Sequence, residues 1–321
     1  MTPFHGKLKI RHLEIVLAIA DSGNLSKAAK QLHSTQSALS RALTEIEELL
    51  GGRLYERTGK GMMCTPLGEA MCRHSRVLLG DLRKAEVDLA AVGRGEQGSL
   101  VVGCFSLFSG WPLTEAARLF RERHPDIALT ITIGTHEDLI TDLDSGALDI
   151  FVSRARPTMN RDIYRADPII SDPVALTCAT HHPLAQGRAT LADCIAYPWI
   201  TAMPGSRIQR ELETNLAQAG LPLPATLGAL SLEFGRELIR DGRHLWMLPG
   251  CVAAVMQARG EVCVLPVALG LLPAPMAAIW RKDRHSTRSM RAFADALAGV
   301  VAGANLSFGE EAAGGGLALS A

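Results

Sequence analysis

The sequence has 321 residues, of which 47% are hydrophobic, and it carries equal numbers of basic and acidic side chains. A chain of this length is about twice the usual size of one domain, so at least two folded units are expected. The neutral balance gives no overall indication of a nucleic-acid or membrane partner. Basic residues are nevertheless concentrated near the N-terminus, where residues 1–66 contain nine basic and six acidic side chains.

Seven cysteines are scattered along the chain without a Cys-x-x-Cys pair. This usage predicts reduced thiols rather than a disulfide framework. Neither a signal peptide nor an apolar run long enough for a membrane span is recognisable, and no spacing matches a structural zinc site. We therefore expect a cytoplasmic protein with no metal, no cofactor and no membrane partner.

Three amphipathic helices are predicted within the first 50 residues. Apolar side chains recur at spacings of three and four from Ile10 to Ala20, which indicates a first helix. Ser26 is the expected N-cap of a second, short helix, and Thr35 that of a third. The inward face of the third helix is expected to consist of Leu39, Leu43, Ile46 and Leu50. Two short helices around a tight turn, at about residues 25–44, are typical of a helix-turn-helix.

The opposite face of the third helix carries polar side chains of a size that enters a DNA groove. A glutamine can pair with adenine N6 and N7, an arginine with guanine or a phosphate, and serines with phosphates. Two short extended stretches around a glycine-rich turn follow and predict a basic β-wing. A solvated helix face remains the alternative. The predicted DNA-binding residues are Ser26, Ser34, Thr35, Gln36, Ser37, Ser40, Arg41, Thr44, Arg53, Arg57 and Lys60.

These features closely resemble the DNA-binding domain of LysR-type transcriptional regulators. The matching positions run from Leu13 to Gly68, and Ser37 stands where that family usually has proline. The resemblance implies a winged helix-turn-helix at residues 1–66, double-stranded promoter DNA as a partner and no catalytic residues. It is carried by Ala28-Ala29, Leu32, Gln36, Ala38-Leu39-Ser40, Leu50-Gly51, Leu54, Glu56-Arg57 and Thr65-Pro66-Leu67-Gly68.

A long helix is predicted over residues 67–95. It has an apolar seam with alternating spacings of four and three, formed by Met71, Ser75, Leu78, Leu82, Ala85, Leu89 and Val92. Such a seam favours pairing of two chains, with packing on its own domain as the alternative. The family resemblance implies a linker helix that dimerises here, and it further suggests homotetramers. The glycine-rich segment after this helix predicts a hinge.

The C-terminal two-thirds alternate apolar strands with helices. Strands are expected at residues 100–104, 127–133, 150–152, 174–179, 245–248 and 276–280, and helices at 113–122, 139–148 and 207–219. This alternation predicts largely parallel sheets in two α/β lobes with a cleft between them. The whole chain is thus expected to be multidomain: an all-α winged helix-turn-helix, a long linker helix and a two-lobed α/β domain.

This region resembles the effector domain of LysR-type regulators, which is similar to the type 2 periplasmic binding-protein fold. The resemblance covers residues 98–303 and is carried by Phe120, His124-Pro125, Leu143, Gly146, Leu148-Asp149, His182-Pro183-Leu184-Ala185 and Trp199-Ile200. The C-terminal residues, which include Gly314-Gly315-Gly316, predict a flexible tail at 304–321. The resemblance implies one lobe at 98–170 with 271–303 and a second at 171–270. It is also compatible with RNA polymerase as a partner.

A small-molecule effector is expected between the lobes, at strand ends and helix N-termini. Matching strand ends to the family pattern selects seven residues, namely Ser106, Phe108, Ser109, Thr135, His136, Ser206 and Arg207. The serines could equally cap helices, and Arg207 could pair with Glu211 one turn on. Arginine and hydroxyl groups suit a carboxylate or a sugar, and both stay open.

Two other classes of protein compete with a DNA-binding regulator. A two-lobed α/β fold also hosts enzymes, but the sequence contains no nucleophile elbow, no Walker A motif and no dinucleotide fingerprint. A solute-binding protein would explain the C-terminal lobes, yet it would leave the N-terminal helix-turn-helix unexplained. A non-enzymatic switch, in which the effector modulates promoter binding or activation, explains both ends.

Overall fold

The computed structural model divides into two compact units. One comprises residues 1–99 with 141–148, and the other residues 100–140 with 149–321. Within the part of the chain that is described, no helix is long and apolar enough to cross a membrane. The described residues are 7–59, 61–93, 97–155, 159–271, 273–284, 286–304 and 306.

The first unit begins with the three predicted helices. They are α1 (Ile10–Ser22), α2 (Leu25–Gln31) and α3 (Gln36–Leu50). Thr35 caps α3 as expected, since its hydroxyl accepts from the backbone N–H of Ala38 at 3.2 Å. The expected cap of α2 was wrong. Asn24 takes that position, and its side-chain oxygen accepts from the N–H groups of Ser26 and Lys27.

The core of the first unit lies where the three helices meet. Leu39, Leu43 and Ile46 of α3 are buried as predicted, whereas Leu50 is only partly buried. On α1 the predicted stripe was partly wrong. Ile10 is 52% exposed because it is the first residue of the helix, and the buried face extends instead through Leu13, Ile15, Val16, Ala18 and Ile19.

The wing and the long helix follow. Strands β1 (Tyr55–Thr58) and β2 (Gly61–Cys64) pair antiparallel, as the sequence indicates, and Lys60 between them lies outside the described residues. Helix α4 (Pro66–Gly93) then runs for 28 residues. The predicted hinge and tail fall mainly on residues 94–96, 305 and 307–321, which are not described.

The second unit alternates strands and helices. Its strands are β3 (Ser99–Phe105), β4 (Ala128–Gly134), β5 (Ile150–Arg154), β6 (Tyr164–Asp172), β7 (Val174–Cys178), β8 (Trp199–Thr201), β9 (Thr226–Gly228), β10 (Leu245–Pro249), β11 (Cys263–Val264) and β12 (Ala274–Arg281). Its helices are α5 (Leu113–Arg123), α7 (Leu191–Cys194), α8 (Arg207–Gln218), α9 (Leu232–Ile239), α10 (Gly250–Ala258) and α11 (Arg288–Gly303). Helix α6 (His136–Ser145) begins in this unit, and its residues from 141 onward are grouped with the first. The expected helix at 139–148 therefore begins and ends three residues early.

The strands form two five-stranded sheets, in the orders β4-β3-β5-β12-β6 and β11-β7-β10-β8-β9. The prediction of largely parallel sheets was wrong. Strand β12 runs antiparallel to β5 and β6, and β7 runs antiparallel to β10 and β11. The chain passes from the first sheet to the second between β6 and β7, and it returns to the first sheet at β12. Both sheets are therefore mixed. One apolar core contains residues of both sheets, such as Val152 and Leu248.

Candidate DNA-binding surface and effector cleft

The outer face of α3 is polar and exposed. Gln36, Ser40 and Arg41 are all exposed, while the opposite face of the same helix packs into the core. Among the described residues, neither the Ser40 hydroxyl nor the Arg41 guanidinium has a hydrogen-bond partner. Both groups are therefore available to a ligand that approaches this face.

Other polar groups on this face already have local partners. The Thr44 hydroxyl donates to the Ser40 carbonyl at 3.1 Å, and the hydroxyls of Thr35 and Ser37 lie 3.2 Å apart. The Ser26 hydroxyl donates to Oε1 of Gln36 at 2.7 Å. Among the predicted groups on α3, Arg41 is thus the strongest candidate for a direct contact, because it is both charged and free.

The wing is held against the helices by hydrogen bonds. Oε1 of Glu47, on the inner side of α3, accepts from the backbone N–H groups of Leu54 at 2.7 Å and Tyr55 at 3.4 Å. The Met62 N–H donates to the Gly23 carbonyl at 2.8 Å. Arg53 and Arg57 are exposed beside this joint, and Ser34 is half-buried in the turn before α3. Glu47 was missed in the sequence, where it looks like any acid on a helix.

Helix α4 changes character along its length. Met71 and Ser75 are buried against the rest of the first unit, whereas Leu78, Leu89 and Val92 are 52%, 72% and 62% exposed. The predicted seam is therefore divided into a buried and an exposed part. Its start packs within the first unit, as the alternative interpretation supposed. Its later part is an unpaired apolar stripe, which also contains Leu82 and Ala85.

The effector residues predicted in the first sheet lie at strand ends and have local contacts. Phe108 is fully buried, so its side chain offers no surface to a ligand in this conformation. The Ser109 hydroxyl donates to the Ser106 carbonyl at 2.6 Å, and the Thr135 hydroxyl donates to Asp138 at 2.6 Å. The His136 ring lies edge-on to Phe151, with centroids 5.0 Å apart.

In the second sheet the predicted pair lies at the N-terminus of α8. The Ser206 hydroxyl caps that helix by accepting from the N–H of Gln209 at 3.2 Å. Arg207 is paired with Glu211 one turn on. Both local alternatives considered from the sequence therefore occur, although Arg207 keeps 40% of its side chain exposed.

Sequence reasoning missed a buried ion pair near Arg207. Nε of Arg154, at the end of β5, lies 3.9 Å from Oδ2 of Asp172, at the end of β6. The Arg154 side chain is 13% exposed and that of Asp172 is not exposed at all. Arg154 also donates to the Asp172 carbonyl, and the Cys251 N–H donates to Oδ1 of Asp172 at 2.9 Å. Asp172 thereby links β5 to the N-terminus of α10.

Burial controls the electrostatics of this pair. It raises the pKa of the Asp172 carboxyl, and the positive charge of Arg154 opposes that rise. Burial also lowers the pKa of Arg154, and the charge of Arg207 adds to this effect. Oδ2 of Asp172 and Nε of Arg154 have no hydrogen-bond partner among the described residues. Nothing in the sequence pairs residues 18 positions apart, so only the tertiary structure reveals this site.

Comparison with known proteins agrees with the two-part architecture. The profile "Bacterial regulatory helix-turn-helix protein, lysR family" matches residues 10–69, and "LysR substrate binding domain" matches residues 93–302. The chain belongs to the LysR family. It is a DNA-binding transcriptional regulator with an effector-binding domain, and its winged helix-turn-helix and two-lobed α/β fold are those of this family.

Curated relatives and solved structures extend the match over most of the chain. The transcriptional regulator GbpR of Azospirillum brasilense is 26% identical over 91% of this chain and 86% of its own length. PcaQ of Agrobacterium fabrum is 28% identical over 86% of this chain and 90% of its own. The crystal structure of the LysR family regulator CbnR is 22% identical, covers 90% of this chain and all of its own, and has a TM-score of 0.50.

Proposed function

We propose that this regulator reads promoter DNA by inserting α3 into the major groove, with the wing on the adjacent backbone or minor groove. The observation that carries the proposal is the two-sided character of α3, since Leu39 and Ile46 are buried while Gln36 and Arg41 are exposed. Phosphate contacts are assigned to Arg53, Arg57 and Lys60, because a contact to a phosphate does not depend on the DNA sequence. Ser26, Ser34, Thr35, Ser37, Ser40 and Thr44 complete the proposed interface.

The first test is binding to the DNA that flanks the protein's own gene, measured at two salt concentrations against unrelated DNA of equal length. Arg41→Ala is expected to weaken specific binding by about 1–3 kcal/mol if Arg41 contacts a base edge. If it contacts a phosphate, the variant should mainly show a smaller salt dependence.

Arg73→Ala is the matched control for that variant, because Arg73 is exposed on α4 and its loss changes the net charge equally. It should bind like the wild type. Equal binding of wild-type protein to flanking and unrelated DNA would overturn the proposal and favour a solute-binding or catalytic protein instead.

We assign the effector to the cleft between the two lobes. The candidate residues Ser106, Ser109, Thr135, His136, Ser206 and Arg207 stay proposals, and Phe108 would have to leave the core to contribute. Arg207 supports a carboxylate as ligand because 40% of its side chain is exposed and its present partner, Glu211, is itself a carboxylate. A sugar remains the second candidate, supported by the hydroxyl groups alone. Lobe closure on the effector would then alter promoter binding.

The exposed stripe on α4 supports a homodimer in which two copies of this helix pair. Leu89→Asp is expected to weaken dimerisation at least 30-fold, or about 2 kcal/mol, because each chain loses one buried leucine and gains a charge. Sedimentation velocity at several concentrations measures this. Val87→Asp is the control, since Val87 is 41% exposed but lies off the seam. Unchanged self-association of the Leu89 variant would exclude α4 as the interface.

The remaining assignments follow from the regulator function. We propose that the protein is not an enzyme, that it acts in the cytoplasm where promoter DNA is found, and that dimers associate further into tetramers. RNA polymerase is a further proposed partner at the promoter. The domain boundaries at residues 66, 95, 98 and 303, and the division of the lobes at 170 and 271, are kept as proposals.

A further inference from the structure

A single hydrogen bond joins the two helices of the helix-turn-helix on their exposed side. The Ser26 hydroxyl of α2 donates to Oε1 of Gln36, the first residue of α3, at 2.7 Å. The two residues are ten positions apart, so the bond depends on the turn between the helices. Its importance for specificity rests on the proposed function, in which Gln36 faces the bases.

Both ends of this bond are held in place by helix caps. The backbone N–H of Ser26 donates to Oδ1 of Asn24 at 2.8 Å, which fixes Ser26 in the first turn of α2. Thr35 caps α3 and so fixes the start of the helix at Gln36. Because the Ser26 N–H is already used by Asn24 and its hydroxyl by Gln36, Ser26 has little left to offer a phosphate.

The bond determines which end of the Gln36 carboxamide is presented to DNA. With Oε1 accepting from Ser26, the amide nitrogen keeps two N–H donors. No described residue accepts a hydrogen bond from that nitrogen. Two donors match the acceptors of the major groove, which are purine N7, guanine O6 and thymine O4. The opposite orientation would present an acceptor, which suits the amino groups of adenine and cytosine.

We propose that Ser26 orients Gln36, so that Gln36 recognises hydrogen-bond acceptors on a base edge rather than the donor–acceptor pair of adenine. Ser26 is therefore a positioning residue for specificity and not a phosphate contact. Arg57 lines the same surface notch as Ser26 and Gln36. We assign to Arg57, and not to Ser26, the contact with the DNA phosphate nearest this notch.

The test begins with the full-length protein and a pool of duplexes that carry a randomised core. Repeated selection gives a consensus, and Gln36→Ala identifies the base pair that Gln36 reads as the position where preference is lost. At that pair, 7-deazapurine removes the N7 acceptor, 2-aminopurine in place of guanine removes O6, and purine in place of adenine removes the N6 donor. 5-Methylpyrimidin-2-one in place of thymine removes the O4 acceptor and keeps the methyl group.

Wild-type protein should lose about 3- to 10-fold in affinity when the acceptor that Gln36 reads is removed, the value of one hydrogen bond. It should be indifferent to the loss of adenine N6. Ser26→Ala should relax the consensus at this pair alone, and Ser26→Thr, which keeps the hydroxyl, should restore it. Ser289→Ala is the matched control, because it removes the same hydroxyl from α11 in the second unit, where that group lies 2.8 Å from the Thr287 hydroxyl and outside the proposed interface. Matching thermal unfolding of the variants checks that they fold.

Two results would overturn the inference while leaving the proposed function intact. One is an unchanged consensus in Ser26→Ala, and the other is a loss of about 3-fold or more in wild-type affinity when adenine N6 is removed at the Gln36 pair. A pool that emerges without any enriched sequence would instead overturn the proposed DNA-binding specificity, and the inference with it.

Discussion

Replacing Arg154 with methionine is expected to lower the free energy of unfolding of the second unit by about 3–5 kcal/mol. The substitution leaves the fully buried carboxylate of Asp172 without its positive partner, which lies 3.9 Å away. Removing one member of a buried ion pair costs far more than the pair itself contributes, because the remaining charge is stranded in a medium of low dielectric. The effect should therefore exceed that of any surface ion pair in the chain.

Tryptophan fluorescence during urea unfolding measures this change selectively. The second unit contains all four tryptophans of the chain, which are Trp111, Trp199, Trp246 and Trp280. The fluorescence signal therefore reports on the second unit and not on the DNA-binding part. Arg240→Met is the control, because its ion pair with Glu237 is exposed at both ends and should be worth about 0–1 kcal/mol. A loss no larger in the Arg154 variant than in this control would contradict the prediction.

The same variant should depend on pH in a defined direction. Burial raises the pKa of Asp172, and without Arg154 this rise is opposed only by the hydrogen bonds from Cys251 and Gly250. A carboxyl with a raised pKa in the folded state is stabilising while protonated, and that contribution is lost as the pH rises through its folded-state pKa. The destabilisation should thus shrink as the pH is lowered from neutral toward the ordinary pKa of an aspartate. The double variant Arg154→Met with Asp172→Asn should recover most of the loss, since Asn still accepts from Cys251 and carries no charge.

Substituting Gly68 with alanine should destabilise the DNA-binding unit by about 3 kcal/mol or more. A Cβ at this position would lie 2.0 Å from the carbonyl oxygen of Leu54 and 2.9 Å from its carbonyl carbon. Both atoms are backbone, so no rotamer change relieves the clash, and the start of α4 must move away from the wing. The gain in helix propensity of about 1 kcal/mol does not compensate.

Two measurements test this effect. Far-UV circular dichroism during heating gives the thermal stability, and binding to flanking DNA gives the affinity. Gly299→Ala in α11 is the matched control, because the same substitution there meets nothing within 4 Å. That control should be neutral or slightly stabilising. Retention of wild-type DNA affinity and thermal stability in the Gly68 variant would show that the close approach of α4 to the wing is not required.

Local patterns accounted for the elements of this protein. Apolar residues three and four apart on α3, the cap at Thr35, the glycine-rich turn of the wing and the uninterrupted run of α4 are all properties of neighbouring residues. Such patterns report which face of an element is buried, and so they also indicated the exposed polar face of α3. The family resemblance added the two-domain arrangement.

Contacts between distant residues were decided only by the tertiary structure. The direction of β12 depends on where the chain re-enters the first sheet, and the pairing of Arg154 with Asp172 depends on two strands ending side by side. The bond from Ser26 to Gln36 and the division of α4 into a buried start and an exposed end depend on the packing of whole helices. Sequence by itself determined the elements and their buried faces, because both follow from local spacing; the long-range partners follow from three-dimensional packing, which local spacing does not encode.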